Sequence, residues 1–142
     1  MKFWDSSAIV PLLVGEKATR QLQQLATRDP DVLVWWGSEI ECHSAVARLE
    51  RAAAVSAKEA AAARGRLTRL AERWYEIEPS VSVRELAIRL LRVHPLRTAD
   101  ALQLAAALVA SEHRPSSLGF VCLDERLAAA AQKEGFAVVE LA

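Results

Sequence analysis

The chain has 142 residues, a length that most often folds as one unit, so residues 1–142 are expected to form a single domain without a separate regulatory part. Hydrophobic residues make up 52% and charged residues 25%, with five Gly and five Pro, which excludes a disordered or fibrous chain. Lys plus Arg total 18 and Asp plus Glu total 18, so the net charge is zero, against the strongly basic total of many nucleic-acid-binding domains.

Lys2-Phe3-Trp4 reads as a strand that stops at Asp5-Ser6-Ser7 and gives way to a helix. A helix from about Lys17 to Arg28 ends at Asp29-Pro30-Asp31, and the β-branched and aromatic run Val32 to Trp36 suits a buried strand. Ser38 with Glu41 matches a capping box opening a helix from Glu39 to about Ala54, and Ser56 with Glu59 repeats the signature for a helix to about Trp74. These two helices should form a hairpin. Tyr75 to Glu78 suggests a short strand, and Ser82 with Glu85 starts a helix whose Leu86, Leu90 and Val93 recur at helical spacing before His94-Pro95. Thr98 is placed as the cap of a helix from Ala99 to about Ser111, and Pro115 to Gly119 as a loop. Phe120 to Leu123 then forms a strand, Asp124 caps a helix from Glu125 to Glu134 that ends at Gly135, and Ala137 to Val139 is the last strand. Strands alternating with helices, with no hairpin-turn dipeptide, predict a three-layer α/β domain around a parallel sheet.

Cys42 and Cys122 are too few for a disulfide framework, and Asp5 interrupts the N-terminus before a signal-like apolar run develops; a reduced, cytoplasmic protein is expected. The longest apolar stretch, Ala101 to Ala110, is broken by Gln103 and falls short of the ~20 residues a spanning helix needs, so no membrane segment is expected.

The zero charge hides a segregation. Residues 48–97 carry eleven basic and six acidic side chains, whereas 1–47 carry four and six and 98–142 carry three and six. The basic middle, Arg64, Arg66 and Arg69 included, is either a phosphate-binding surface or a solvated helix face. Four acids fall where strands give way to helices: Asp5, Glu41, Asp100 and Asp124. Each alone reads more readily as a helix cap or a partner of the helix dipole than as a catalytic group. Together at the carboxyl edge of a parallel sheet they would repel one another unless a hard cation such as Mg²⁺ or Mn²⁺ neutralised them, and such a site can activate water against a phosphodiester.

Four blocks carry a resemblance: Phe3-Trp4-Asp5-Ser6-Ser7-Ala8; Ser38-Glu39-Ile40-Glu41 leading into Ser44-Ala45-Val46-Ala47-Arg48; Leu96-Arg97-Thr98-Ala99-Asp100-Ala101-Leu102-Gln103-Leu104-Ala105; and Val121-Cys122-Leu123-Asp124-Glu125-Arg126-Leu127. In order and spacing they resemble PIN-domain endoribonucleases, in particular the VapC-like toxins of toxin–antitoxin pairs, over essentially the whole chain. The resemblance implies a PIN-like (Rossmann-like) fold and an acidic quartet of Asp5, Glu41, Asp100 and Asp124. Asp5, Asp100 and Asp124 are its implied metal ligands, with Asp5 and Asp100 foremost, and Ser7 and Thr98 supporting polar residues around them. It further implies Mg²⁺- or Mn²⁺-dependent RNA cleavage, a homodimer and a cognate antitoxin. Glu39 competes with Glu41, but two residues earlier on a helix it points roughly 200° away.

Two other readings stay open: a non-catalytic module binding RNA or protein, and a metal-dependent phosphohydrolase acting on a different substrate. His43, His94 and His113 lack ligand spacing and read as structural, both cysteines as small core residues, and no glycine loop cradles phosphate. Trp35-Trp36 either stacks on RNA bases or keeps one ring in the core.

Overall fold

The computed structural model describes residues 1–141. Its elements in chain order are β1 (Lys2–Trp4), α1 (Ser6–Leu13), α2 (Thr19–Arg28), β2 (Val32–Trp35), α3 (Ser38–Arg51), α4 (Ala57–Ala71), β3 (Tyr75–Ile77), α5 (Val81–Val93), α6 (Thr98–Ala110), a 3₁₀ turn (Pro115–Ser117), β4 (Gly119–Val121), α7 (Glu125–Lys133) and β5 (Ala137–Val138). The five strands form one parallel sheet in the order β3-β2-β1-β4-β5. The chain therefore builds outward from β1 to β3, then crosses back to place β4 on the other side of β1. That reversal makes the β1/β4 boundary the topological switch point, where an open parallel sheet leaves a crevice at its carboxyl edge.

The two-residue period of a strand divides the core. Phe3, Leu33 and Phe120, paired across the sheet, face a cluster with Leu90, Leu104 and Leu127 from α5, α6 and α7. Trp4, Val34 and Val121 face the opposite way, onto Ile9, Leu22, Val46 and Leu67 from α1 to α4. Phe3 and Trp4 are each fully buried, on opposite sides of one three-residue strand. This is the predicted three-layer α/β arrangement. Phe120 stacks on Phe3 at 5.5 Å between ring centroids and lies 5.4 Å from Phe136. Phe120→Ala is expected to cost about 3–5 kcal/mol, the range for removing a buried aromatic, read as a lower urea midpoint with the slope unchanged.

Several local signals act as predicted. Ser56 and Glu59 form a reciprocal capping box at α4, with both bonds at 3.0 Å, and Asp124 caps α7 by accepting from Leu127 N at 2.9 Å. Gly135, with φ +106°, ends that segment in the left-handed region, where a side chain would also press on Pro115. His94 is buried and structural, its Nε2 2.7 Å from Glu134 Oε2, and Arg89 holds the other oxygen of the same carboxylate.

Other local signals are overridden. Ser38 is no cap: Gly37 precedes α3 without any side-chain cap bond, and Ser38 is a fully buried first residue of the helix. A side chain at position 37 would come within 2.6 Å of Trp35 Nε1, so the tight approach of the indole sets where the helix starts. At α5 the cap is Ser80, accepting from Val83 N at 3.2 Å, rather than Ser82, and the buried stripe is Val83, Ala87 and Leu90 while Val93 is exposed. Thr98 is the exposed first residue of α6, which follows Arg97 without a side-chain cap. Trp35 lies in the core and Trp36 is exposed beyond the end of β2. Among the described residues no helix is long and apolar enough to cross a membrane.

Candidate active site

A cavity of about 320 Å³ opens at the switch point, lined by Asp5, Ser6, Ser7, Val10, Glu41, Ser44, Ala45, Arg48, Asp100 and Asp124. Each of the four acids arrives on a different element. Asp5 directly follows β1 and caps α1, Glu41 lies in the first turn of α3, Asp100 in the first turn of α6, and Asp124 caps α7 after β4. For Asp5 and Asp124 capping and site formation are one feature, since a carboxylate that satisfies a helix N-terminus at a strand's carboxyl end already sits at the crevice. Glu39, the competitor for Glu41, does not line the cavity.

Asp5 is only 3% exposed. Ser7 donates to its Oδ2 twice, from the backbone N at 3.1 Å and from Oγ at 2.5 Å, and Ser7 Oγ in turn accepts from Leu123 N at 2.9 Å. Ser7 thus ties Asp5 to the segment that carries Asp124. Burial pushes the Asp5 carboxyl above its ordinary range despite those bonds, and the charge of Asp100 pushes the same way. Glu41 is raised to about 7, first by burial and then by the charge of Asp5. Asp100 is raised by burial and then by Asp124. The Cys122 thiol, 3.7 Å from Asp5 Oδ2 and 3.3 Å from the Asp124 carbonyl oxygen, is pushed up to about 12, chiefly by burial.

Three side chains at or behind this cavity carry weight that their sequence positions did not announce. Ser6 Oγ donates to Glu41 Oε1 at 3.1 Å, and the Gln103 amide donates to Glu41 Oε2 and to Ser38 Oγ, both at 3.0 Å. Arg48, two helical turns beyond Glu41 and so on the same face of α3, is the one cation lining the cavity among the described residues, and it makes no ion pair. The signals existed: a lone amide inside the apolar run of α6, and an arginine seven residues from a candidate acid. Thr98 is not brought to the cavity. Arg64 pairs with Glu50 at 2.9 Å across the α3/α4 hairpin, and Arg66 donates to the Leu13 carbonyl at the end of α1, also at 2.9 Å. Arg69 lines a separate depression with Arg66 and Arg73.

The donor set suits a hard divalent cation. It is all oxygen, and three of its carboxylates hold raised pKa values in part because of one another, a strain that a cation relieves. Among the described residues no group of three or more His, Cys, Asp or Glu side chains is arranged to hold an ion by itself.

No protein-family model matches the chain, and no curated protein matches it. Solved structures do. One chain of a toxin–antitoxin complex from Klebsiella pneumoniae superposes with a TM-score of 0.68 at 15% identity, covering 99% of this chain and 97% of that one. A chain of FitAcB from Neisseria gonorrhoeae gives 0.68 at 18% identity, again over 99% and 97%. A chain of FitAB bound to an IR36 DNA fragment gives 0.66 at 16% identity, over 98% and 94%. At such identities the likeness is one of fold, and it extends over nearly the full length of each chain. The chain shares with them an α/β fold, a five-stranded parallel sheet flanked by helices.

Proposed function

We propose that this chain is a divalent-ion-dependent endoribonuclease, the toxin of a toxin–antitoxin pair that works as a homodimer restrained by a cognate antitoxin. The observation that carries the reading is the convergence of Asp5, Glu41, Asp100 and Asp124, from four separate elements, on one cavity at the sheet's switch point. Asp5 and Asp100 would hold Mg²⁺ or Mn²⁺ with Asp124 beside them, and when bound the ion supplies an activated water and offsets charge on the phosphate. Ser7 keeps Asp5 oriented, and Glu41 would orient the attacking water. A toxin–antitoxin complex with this fold supports the assignment of an antitoxin partner. The expected result is cleavage of single-stranded RNA in Mg²⁺ or Mn²⁺ that stops with EDTA; cleavage unaffected by EDTA would contradict it.

A polymeric substrate needs a cation to meet its backbone, and Arg48 fills that role better than the α4 arginines, two of which are engaged within the fold. Arg48→Ala should raise KM about tenfold with kcat nearly unchanged, and should lower the slope of log affinity against log salt by ~0.7, the value for one phosphate contact on a single strand. Equilibrium binding of an RNA oligonucleotide across a salt series reads this directly. Equal slopes for Arg48→Ala and wild type would return Arg48 to the solvated surface.

A further inference from the structure

Gln103 is anomalous in its own helix. Around it α6 is buried on all sides, at Ala101, Leu104, Ala105, Ala106, Ala107 and Leu108, and Gln103 itself is 1% exposed. A buried amide is retained in such a helix at a cost unless its hydrogen bonds serve something. Its NH₂ makes two, to Ser38 Oγ and Glu41 Oε2, while its Oε1 is buried with no partner. The side chain thus leaves one of its own polar atoms unsatisfied in order to aim its donors at the first turn of α3.

The receiving carboxylate is held from both sides. Ser6 donates to Oε1 from the cavity and Gln103 to Oε2 from the core. Among the described residues, Glu41 is the one member of the quartet whose two oxygens each accept a side-chain hydrogen bond; Ser7 and Cys122 both approach Asp5 at Oδ2, and Asp124 takes a backbone N–H at Oδ1. A carboxylate with both oxygens engaged by neutral donors is fixed in direction and less free to turn both oxygens onto an ion.

We infer that Gln103 is a positioning residue which, with Ser6 as its counterpart, locks Glu41 in the direction needed to orient the attacking water, outside the set of carboxylates that hold the ion. This rests on the nuclease reading above. Gln103 touches neither substrate nor ion, and acts through Glu41 alone.

The test compares wild type with Gln103→Met, which keeps length and apolar shape but removes the donors, and with Ser6→Ala, which frees the other oxygen from the solvent side. RNA cleavage in Mn²⁺ gives kcat and KM, and calorimetric titration with Mn²⁺ alone gives the ion's Kd. Gln103→Met should lower kcat roughly 30-fold with KM and Mn²⁺ Kd within about twofold of wild type, within the ~10–100-fold range for groups that orient a functional residue. Ser6→Ala should show the same signature at about threefold to tenfold. A Gln103→Met protein with wild-type kcat overturns the inference, and so does a tenfold loss of Mn²⁺ affinity, which would put Glu41 on the ion. Should Gln103→Met fail to fold, wild-type kcat in Ser6→Ala overturns it equally. Wild type that binds Mn²⁺ yet cuts no RNA overturns the nuclease reading and the inference together, which separates that failure from the others.

Discussion

Asp5→Asn is expected to abolish RNA cleavage while making the protein more stable. The loss should reach about 10³-fold, the several kcal/mol that a bound ion contributes to charge stabilisation at about 1.4 kcal/mol per decade. The gain comes from the same burial. Asp5 is almost fully enclosed and its pKa is raised, so its ionised form is disfavoured in the folded state, and an amide of the same shape removes that cost while still accepting from Ser7. A rise of about 3–6 °C in Tm in EDTA corresponds to roughly 1 kcal/mol in a domain of this size. Opposite signs for activity and stability mark a residue kept for function, whereas a plain helix cap would be nearly indifferent to the same change in both, since Asn caps a helix about as well as Asp. Thermal melts and cleavage time courses on one preparation decide between them.

Without a divalent ion, stability should fall as pH rises through the range in which Glu41 titrates. Below about pH 4.5 the residue is protonated in both states and contributes nothing to the pH dependence. Between about 4.5 and 7 the unfolded chain releases its proton while the folded chain retains it, so each step up in pH favours unfolding; above 7 the penalty is complete. Asp5 and Asp100 shift in the same direction. With allowance for solvent screening at this half-buried group, the Glu41 contribution is about 1–2 kcal/mol. Asp29 and Glu134 work oppositely: hydrogen bonds from Lys2 and from Arg89 respectively hold their carboxyls below the ordinary range, so they support the fold above that range and the support is lost as pH falls. A Tm profile in EDTA should therefore decline on both sides of a mildly acidic optimum. Saturating Mn²⁺ should erase the decline on the neutral side and leave the acid side unchanged. A profile in EDTA that is flat from 4.5 to 7 would show that burial and the neighbouring charge of Asp5 do not hold the proton on Glu41.

The sequence carried the fold through local signals that happen to agree with tertiary packing. Phe3-Trp4 can bury both rings only in a strand covered on both faces, and the Ser56–Glu59 box is satisfied entirely within its own turn. Where the same motif failed, a distant partner intervened. Ser38-x-x-Glu41 has the capping-box pattern, yet Trp35 packs on Gly37 and Gln103 reaches across from α6 to occupy both members, 65 and 62 residues away in sequence. No local rule contains that contact. The four acids were legible because each also serves, or sits beside, a helix start at the sheet's edge. For Arg64 and Arg66 composition counts charges without showing that Glu50 and the Leu13 carbonyl already engage them. Arg48, uncommitted at the cavity, was hidden in the same count.

In the proposed reaction a carboxylate-held ion directs an external water at the RNA phosphate. The end groups of the cleavage products test it most directly, because attack by water needs no 2′-hydroxyl and no cyclic intermediate. With wild-type protein and Mg²⁺ or Mn²⁺, the products are expected to be free of 2′,3′-cyclic phosphate, with no cleavage at all in EDTA. Products carrying a 2′,3′-cyclic phosphate, formed whether or not EDTA is present, would contradict it.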